Sequence, residues 1–204
     1  MAAAVAAAFI PGTNIETIIN TVIGLSKDGT RAAIADIAEV ARWLKRGGAD
    51  YAAVVSAFHE AVRRFSPMGD DVTHSADKAG RAGDAYAPSR LHSIEELPLA
   101  LGFALLNEGE FRTSVEDGIN SGRDTDSIGV MAGAILGALH GEAVVDAESL
   151  ALLDSANRME LTAAADRFAA TAAAIMQADA RASAARQAQR AALLAPETEA
   201  DAAE

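Results

Sequence analysis

Along most of the chain, apolar residues recur three and four positions apart. Ile15, Ile18, Ile19, Val22 and Ile23 follow this spacing, which gathers them into one stripe of an α-helix. Thr13 or Asn14 stands in the cap position of that helix and Glu16 in its first turn, a combination that favours helix initiation. The pattern returns over residues 30–46 through Ile34, Ile37, Val40, Ala41 and Leu44 and stops at Gly47-Gly48. Asp50 then caps a helix that carries Val54, Val55, Phe58, Val62 and Phe65. Ahead of these, Met1 to Phe9 reads as a helix with no capping residue before it. Further along, Ser93 caps a helix with Glu95 and Glu96 in its acidic first turn and Leu99, Phe103 and Leu106 on its apolar side, and another helix covers about 112–119. The segment DAESLALLDSANRM supplies one more, and residues 160–195 form a long Ala- and Arg-rich run with Arg181, Arg186 and Arg190 on a solvated face. No segment alternates β-branched or aromatic residues with polar ones, so no strand is predicted. The expected fold class is all-α, a compact multi-helix domain.

Two stretches break the pattern. Residues 66–93, SPMGDDVTHSADKAGRAGDAYAPSRLHS, have no period and are rich in Gly, Pro, Ser and Asp; connections of this length inside compact domains are usually functional or disordered. The closing PETEADAAE is acidic and predicts disorder. The expected organisation is a helical domain over 1–158 and a helical extension over 159–204 with a disordered acidic end.

Composition narrows the chemistry. Half of the 204 residues are hydrophobic but only 4% are aromatic, so the core must be built from Ala, Leu, Ile and Val on closely approaching helices. The net charge of −12 would repel a phosphate backbone or an anionic lipid surface, which argues against nucleic acid and membranes as partners. There is no cysteine, which removes disulfides, thiolate nucleophiles and zinc-thiolate sites together and is compatible with a cytoplasmic location. The opening MAAAVAAAFIPG reaches Pro11-Gly12 far too soon to span a bilayer.

The most informative string is NSGRDTDSIGVMAGAILGALHG, residues 120–141. Gly129, Gly133, Gly137 and Gly141 recur every four positions, while Ile128, Ala132, Ile135 and Leu139 line another edge. Each interior glycine costs about 1 kcal/mol relative to alanine. The expectation is therefore that neighbours pack closely against the glycine edge and that this helix is central, with Gly133→Leu overpacking the core. At its mouth, Asp124 and Asp126 precede Ser127. One reading is a capping aspartate with an acidic first turn complementing the helix dipole. The other is a set of hard oxygen donors suited to Mg²⁺. An EF-hand is excluded because Ile128 stands at the third ligand position, and residue chemistry alone leaves the two readings open.

The wider string INSGRDTDSIGVMAGAILGALHG, with PSRLHSIEELPLALGFALL upstream, resembles the ADP-ribosylglycohydrolase family, which includes the dinitrogenase-reductase activating glycohydrolases. In that family the late metal motif is Gly-Gly/Arg-Asp-x-Asp-Ser/Thr-Ile, followed by a glycine- and alanine-rich helix. The resemblance covers about residues 1–145. It implies an all-α fold around two Mg²⁺ ions and hydrolysis of the bond between ADP-ribose and a protein side chain or small leaving group. By position, Asp124, Asp126 and Ser127 would be metal ligands, and the catalytic residues proper stay unassigned. Gly122 would let the backbone approach the ligand and Arg123 would sit beside it. Arg90 and His92 fall in the similar upstream stretch and would contact substrate. The expected partner is an ADP-ribosylated protein or a small ADP-ribose conjugate.

In one respect the chain departs from the family pattern. An early Thr/Ser-Asp-Asp motif and a Gly-Asp-Ala type segment are expected upstream of MAAAVAAAFIPG, and neither is present. This predicts an N-terminally truncated chain that supplies part of the ligand set and hydrolyses ADP-ribosyl bonds poorly by itself. Asp70-Asp71 is a substitute pair in the wrong order, preceded by Gly69. His59 and His74 are expected at the surface and His140 at a helix C-terminus, and no Ser-His-Asp set is discernible. The alternative to a hydrolase is a catalytically incomplete or non-catalytic scaffold that binds metal or ADP-ribose.

Overall fold

The computed structural model of the chain describes residues 1–65, 95–158 and 160–195. Among them are α1 (Ala2–Ala8), α2 (Ile15–Leu25), α3 (Asp28–Gly47), α4 (Tyr51–Arg63), α5 (Glu96–Leu106), α6 (Phe111–Asn120), α7 (Thr125–His140), α8 (Ala147–Asn157) and α9 (Leu161–Leu194), with no strand. The all-α expectation holds. The predicted caps explain where several helices begin: Asn14 accepts from the Thr17 amide at 2.9 Å and Asp50 from that of Ala53 at 2.8 Å. α3 stops where Gly48 adopts a left-handed φ of 63°, a conformation that glycine tolerates without a Cβ clash. α4 ends at Arg63, so Phe65 lies past the helix rather than on its stripe.

The chain divides into two compact units, Met1–Val144 and Val145–Glu204. In the first, the helix surrounded on all sides is α5. Every residue from Glu96 to Leu105 is buried, and α5 packs on α2, α3, α4, α6 and α7. This corrects the expectation that α7 is central. The reason was present in PLALGFALL, which has no polar face; a helix apolar all round belongs in a core. α3 comes close enough to α5 that a Cβ on Gly102 would collide with Ile37 and lie 3.1 Å from the Phe58 ring. Phe58 and Phe103 meet edge to face with centroids 4.9 Å apart, the arrangement their ring quadrupoles favour.

α7 carries its own stripe of Ile128, Ala132, Ile135 and Leu136 into this core. Its glycine edge is close-packed at one end only. A Cβ on Gly129 would lie 2.9 Å from Ile119 of α6, and one on Gly118 of α6 would lie 2.9 Å from Ile128, so the two helices clasp through reciprocal glycine and isoleucine pairs. Gly133 and Gly137 have nothing within 4 Å of where a Cβ would stand. The four-residue repeat therefore does not mark a continuous interface, and overpacking at Gly133 is not expected. Instead, Gly133→Ala is predicted to stabilise the protein by about 0.5–1 kcal/mol, because it gains helix propensity at no steric cost. Urea unfolding checks this, and a loss of stability would show that the edge is covered.

In the second unit, Asp146 caps α8 by accepting from the Ser149 amide at 2.8 Å, and Asp154 accepts from the Leu161 amide at 3.1 Å at the start of α9. Neither helix has a buried residue. Arg181, Arg186 and Arg190 are exposed as the sequence suggested.

Candidate functional site

The site is built where α6 hands over to α7 beside the N-terminus of α5. After α6, the chain turns through Ser121, whose hydroxyl donates to the Gly118 carbonyl at 2.7 Å, and then through two residues with left-handed backbone, Gly122 at φ 84° and Arg123 at φ 67°. Glycine at 122 is required for this reversal, since a Cβ there would meet no neighbour within 4 Å but would strain the backbone. At 123 an arginine accepts a conformation costing about 1–2 kcal/mol. Something must hold it there. Its guanidinium Nη1 donates to Glu95 Oε2 at 2.5 Å, with 9% of the Arg123 side chain and 3% of the Glu95 side chain exposed. Arg123, expected beside substrate, thus spends its charge on a buried ion pair that ties the turn to the start of α5.

The turn delivers Asp124 to the N-cap of α7, with Asp126 in the first turn and Ser127 following. Asp124 holds the cap position through its carbonyl, which accepts from the Ile128 amide at 3.1 Å, but its side chain makes no capping hydrogen bond. Capping through the side chain is thus reduced to the electrostatic pull of Ser127, and the Asp124 Oδ2 is buried without a hydrogen-bond partner among the described residues. Burial pushes the Asp124 carboxyl above its ordinary range, and hydrogen bonding with and repulsion from Asp126 push the same way, against the pull of Ser127. Asp126, which is exposed, is held below its ordinary range chiefly by the hydrogen bond from Asp124. The two carboxylates therefore titrate as an interacting pair, Asp124 pushed up and Asp126 pushed down.

Two acids that looked like ordinary first-turn residues are part of this surround. Glu95 and Glu96 are each 2% exposed. Glu95 keeps one oxygen for Arg123, and its Oε1 has no partner among the described residues; both oxygens of Glu96 are likewise unpartnered there. Burial pushes the Glu96 carboxyl up, and the charges of Asp124 and Glu95 add to this, while nearby backbone N–H groups of Glu96 and Glu95 offset part of it without forming hydrogen bonds. The signal that sequence reading passed over is the position of both acids against a helix with no polar face. His59 also belongs here rather than at the surface. It is half-buried, and its imidazole pKa is lowered first by burial and then by the Arg123 charge. His140 ends α7 as expected, its Nε2 2.8 Å from the Gly109 carbonyl.

As a metal cradle, the corner offers hard oxygens of the type Mg²⁺ prefers, one of them buried and unpaired. Among the described residues, no group of three or more His, Asp or Glu side chains is arranged to hold a metal ion, so the candidate donors at this corner are the Asp124–Asp126 pair with the Ser127 hydroxyl. Arg90, His92, Asp70, Asp71 and His74 lie outside the described residues. A family model, ADP-ribosylglycohydrolase, matches residues 1–179. The chain belongs to the ADP-ribosylglycohydrolase family. The match takes in the whole first unit and reaches into α9. No curated protein and no solved structure matches the chain. No helix among the described residues is long and apolar enough to cross a membrane.

Proposed function

We propose that this chain is a Mg²⁺-dependent hydrolase that cleaves the glycosidic bond joining ADP-ribose to a protein side chain or small leaving group, acting in the cytoplasm. Family membership supports the glycohydrolase class. The observation that carries the metal assignment is the buried Asp124 Oδ2 at the mouth of α7, without a partner among the described residues and beside a second carboxylate. Asp124, Asp126 and Ser127 are the proposed ligands. A divalent cation held there supplies Lewis acidity and lowers the pKa of a bound water. The chain's own contribution is positional. The left-handed turn at Gly122 and Arg123 sets Asp124 and Asp126 at the mouth of a helix clamped by Gly118 and Gly129, where they would hold the cation. The pyrophosphate of ADP-ribose is anionic and the chain carries a net charge of −12, so substrate binding needs local positive charge and donors; Arg90 and His92 are proposed for this, with the Gly122 backbone beside them.

A second reading, a scaffold that binds metal or ADP-ribose without turning it over, is favoured by one observation. The described donors all come from one corner, and two carboxylates neutralise half the charge of two Mg²⁺ ions. Release of free ADP-ribose from an ADP-ribosylated protein separates the two. The hydrolase reading expects release that requires Mg²⁺, stops with chelator and is lost in Asp126→Ala. Release unaffected by both treatments would reject the metal mechanism, and Mg²⁺ binding without any release would establish the scaffold.

A further inference from the structure

The acids at the start of α5 present an electrostatic problem that the Asp124–Asp126–Ser127 site does not solve. Glu96 is 2% exposed, and neither of its oxygens has a hydrogen-bond partner among the described residues. It faces the negative charges of Asp124 and Glu95. Glu95 Oε1 and Asp124 Oδ2 add two more buried acceptors without partners there, and Arg123 Nε and His59 Nε2 are the buried nitrogens of this surround in the same state. Burying a polar group without a hydrogen bond costs several kcal/mol, and acceptors crowded together cannot satisfy one another. A source of several donors carrying positive charge would satisfy them. A hydrated divalent cation is such a source, since Mg²⁺ gives up its water reluctantly and usually keeps several of its ligating waters. The geometry also says how Glu96 takes part. The Arg123–Glu95 pair, closed at 2.5 Å, joins the turn before α7 to the start of α5, so Asp124 and Glu96 are the next residues along on its two sides, and the described side chains form no group of three that could ligate an ion directly.

We propose that Glu96 is an outer acceptor for a hydrated divalent cation seated at Asp124 and Asp126, gripping it through bound water. The proposal rests on the metal reading of that corner and extends it to a residue on a different helix, 28 positions from Asp124. Glu95 gives one oxygen to Arg123, so Glu96 is the acid at the start of α5 with both oxygens left for bound water.

The test is Mg²⁺ titration of the full chain, following melting temperature and, in parallel, Mn²⁺ binding by electron paramagnetic resonance. The proteins are wild type, Glu96→Gln, Glu96→Asp and Asp126→Ala. Loss of an outer hydrogen-bonding partner typically weakens metal binding roughly ten- to a hundredfold. Glu96→Gln is expected to bind that much more weakly than wild type and to melt higher than wild type in chelator, because an isosteric amide replaces a buried acid that faces two others. Glu96→Asp, which keeps the charge but shortens the reach, should fall between them and carries the test if the amide variant does not fold. Wild-type affinity in both Glu96 variants, with binding still lost in Asp126→Ala, would overturn the role of Glu96 and leave the corner standing. No Mg²⁺ or Mn²⁺ binding by wild type would overturn both.

Discussion

Arg123→Ala is expected to lower the stability of the protein by about 3–5 kcal/mol, the range found when one partner of a buried ion pair is removed and the other charge is stranded. With 3% of its side chain exposed, Glu95 could not recover by hydration without opening the turn against α5. Arg123→Gly loses the same pair but relieves a left-handed residue, so it should be less damaging than Arg123→Ala by about 1 kcal/mol. Combining Glu95→Gln with Arg123→Met should recover most of the loss, since the penalty lies in the unpaired charge rather than in the absence of the pair. Chemical unfolding of the three proteins measures this. A loss below about 1 kcal/mol for Arg123→Ala, as for exposed pairs, would show that the pair is solvated and that something else fixes the turn. The variant also bears on function, because the turn aims Asp124: metal binding should weaken along with stability, although Arg123 supplies no donor.

The helices were legible because their causes are local. Stripes at helical spacing and the caps at Asn14 and Asp50 act within a few residues, and the structure places α2 and α4 as those signals require. The order of burial was harder to read. The glycine repeat drew attention to α7, but a glycine in a sequence does not say whether anything stands opposite it: Gly129 meets Ile119 of α6, Gly133 meets nothing. Burial all round was written in PLALGFALL, where composition rather than period was the sign.

The site divides in the same way. Asp124, Asp126 and Ser127 were visible as a cluster because they are consecutive or nearly so, and Gly122 because a reversal into a helix favours glycine. The roles of Glu95, Glu96 and Arg123 were not visible. A glutamate at a helix start has a sufficient local explanation in the helix dipole, and what sets these two apart is burial against a turn some 28 residues away, which no local spacing encodes. The burial of His59 is hidden from the sequence for the same reason: the charges that act on it, Arg123 and Glu95, come from other parts of the fold.

The second large effect expected is on the ion itself. Asp124 and Asp126 supply both carboxylates of the proposed ligand set, and their mutual interaction shifts the two carboxyls in opposite directions. Removing either leaves a single carboxylate beside a hydroxyl, too little charge to hold a divalent cation against its hydration. The fold should be nearly indifferent, because Asp126 is exposed and the Asp124 side chain makes no capping hydrogen bond. The direct measurement is calorimetric titration of Mg²⁺ into the wild-type chain, Asp124→Ala and Asp126→Ala, each checked for helical content by circular dichroism. The expected result is saturable binding by wild type that disappears in both variants while helicity is unchanged. Binding that survives in both, or no binding by wild type at millimolar Mg²⁺, would contradict it.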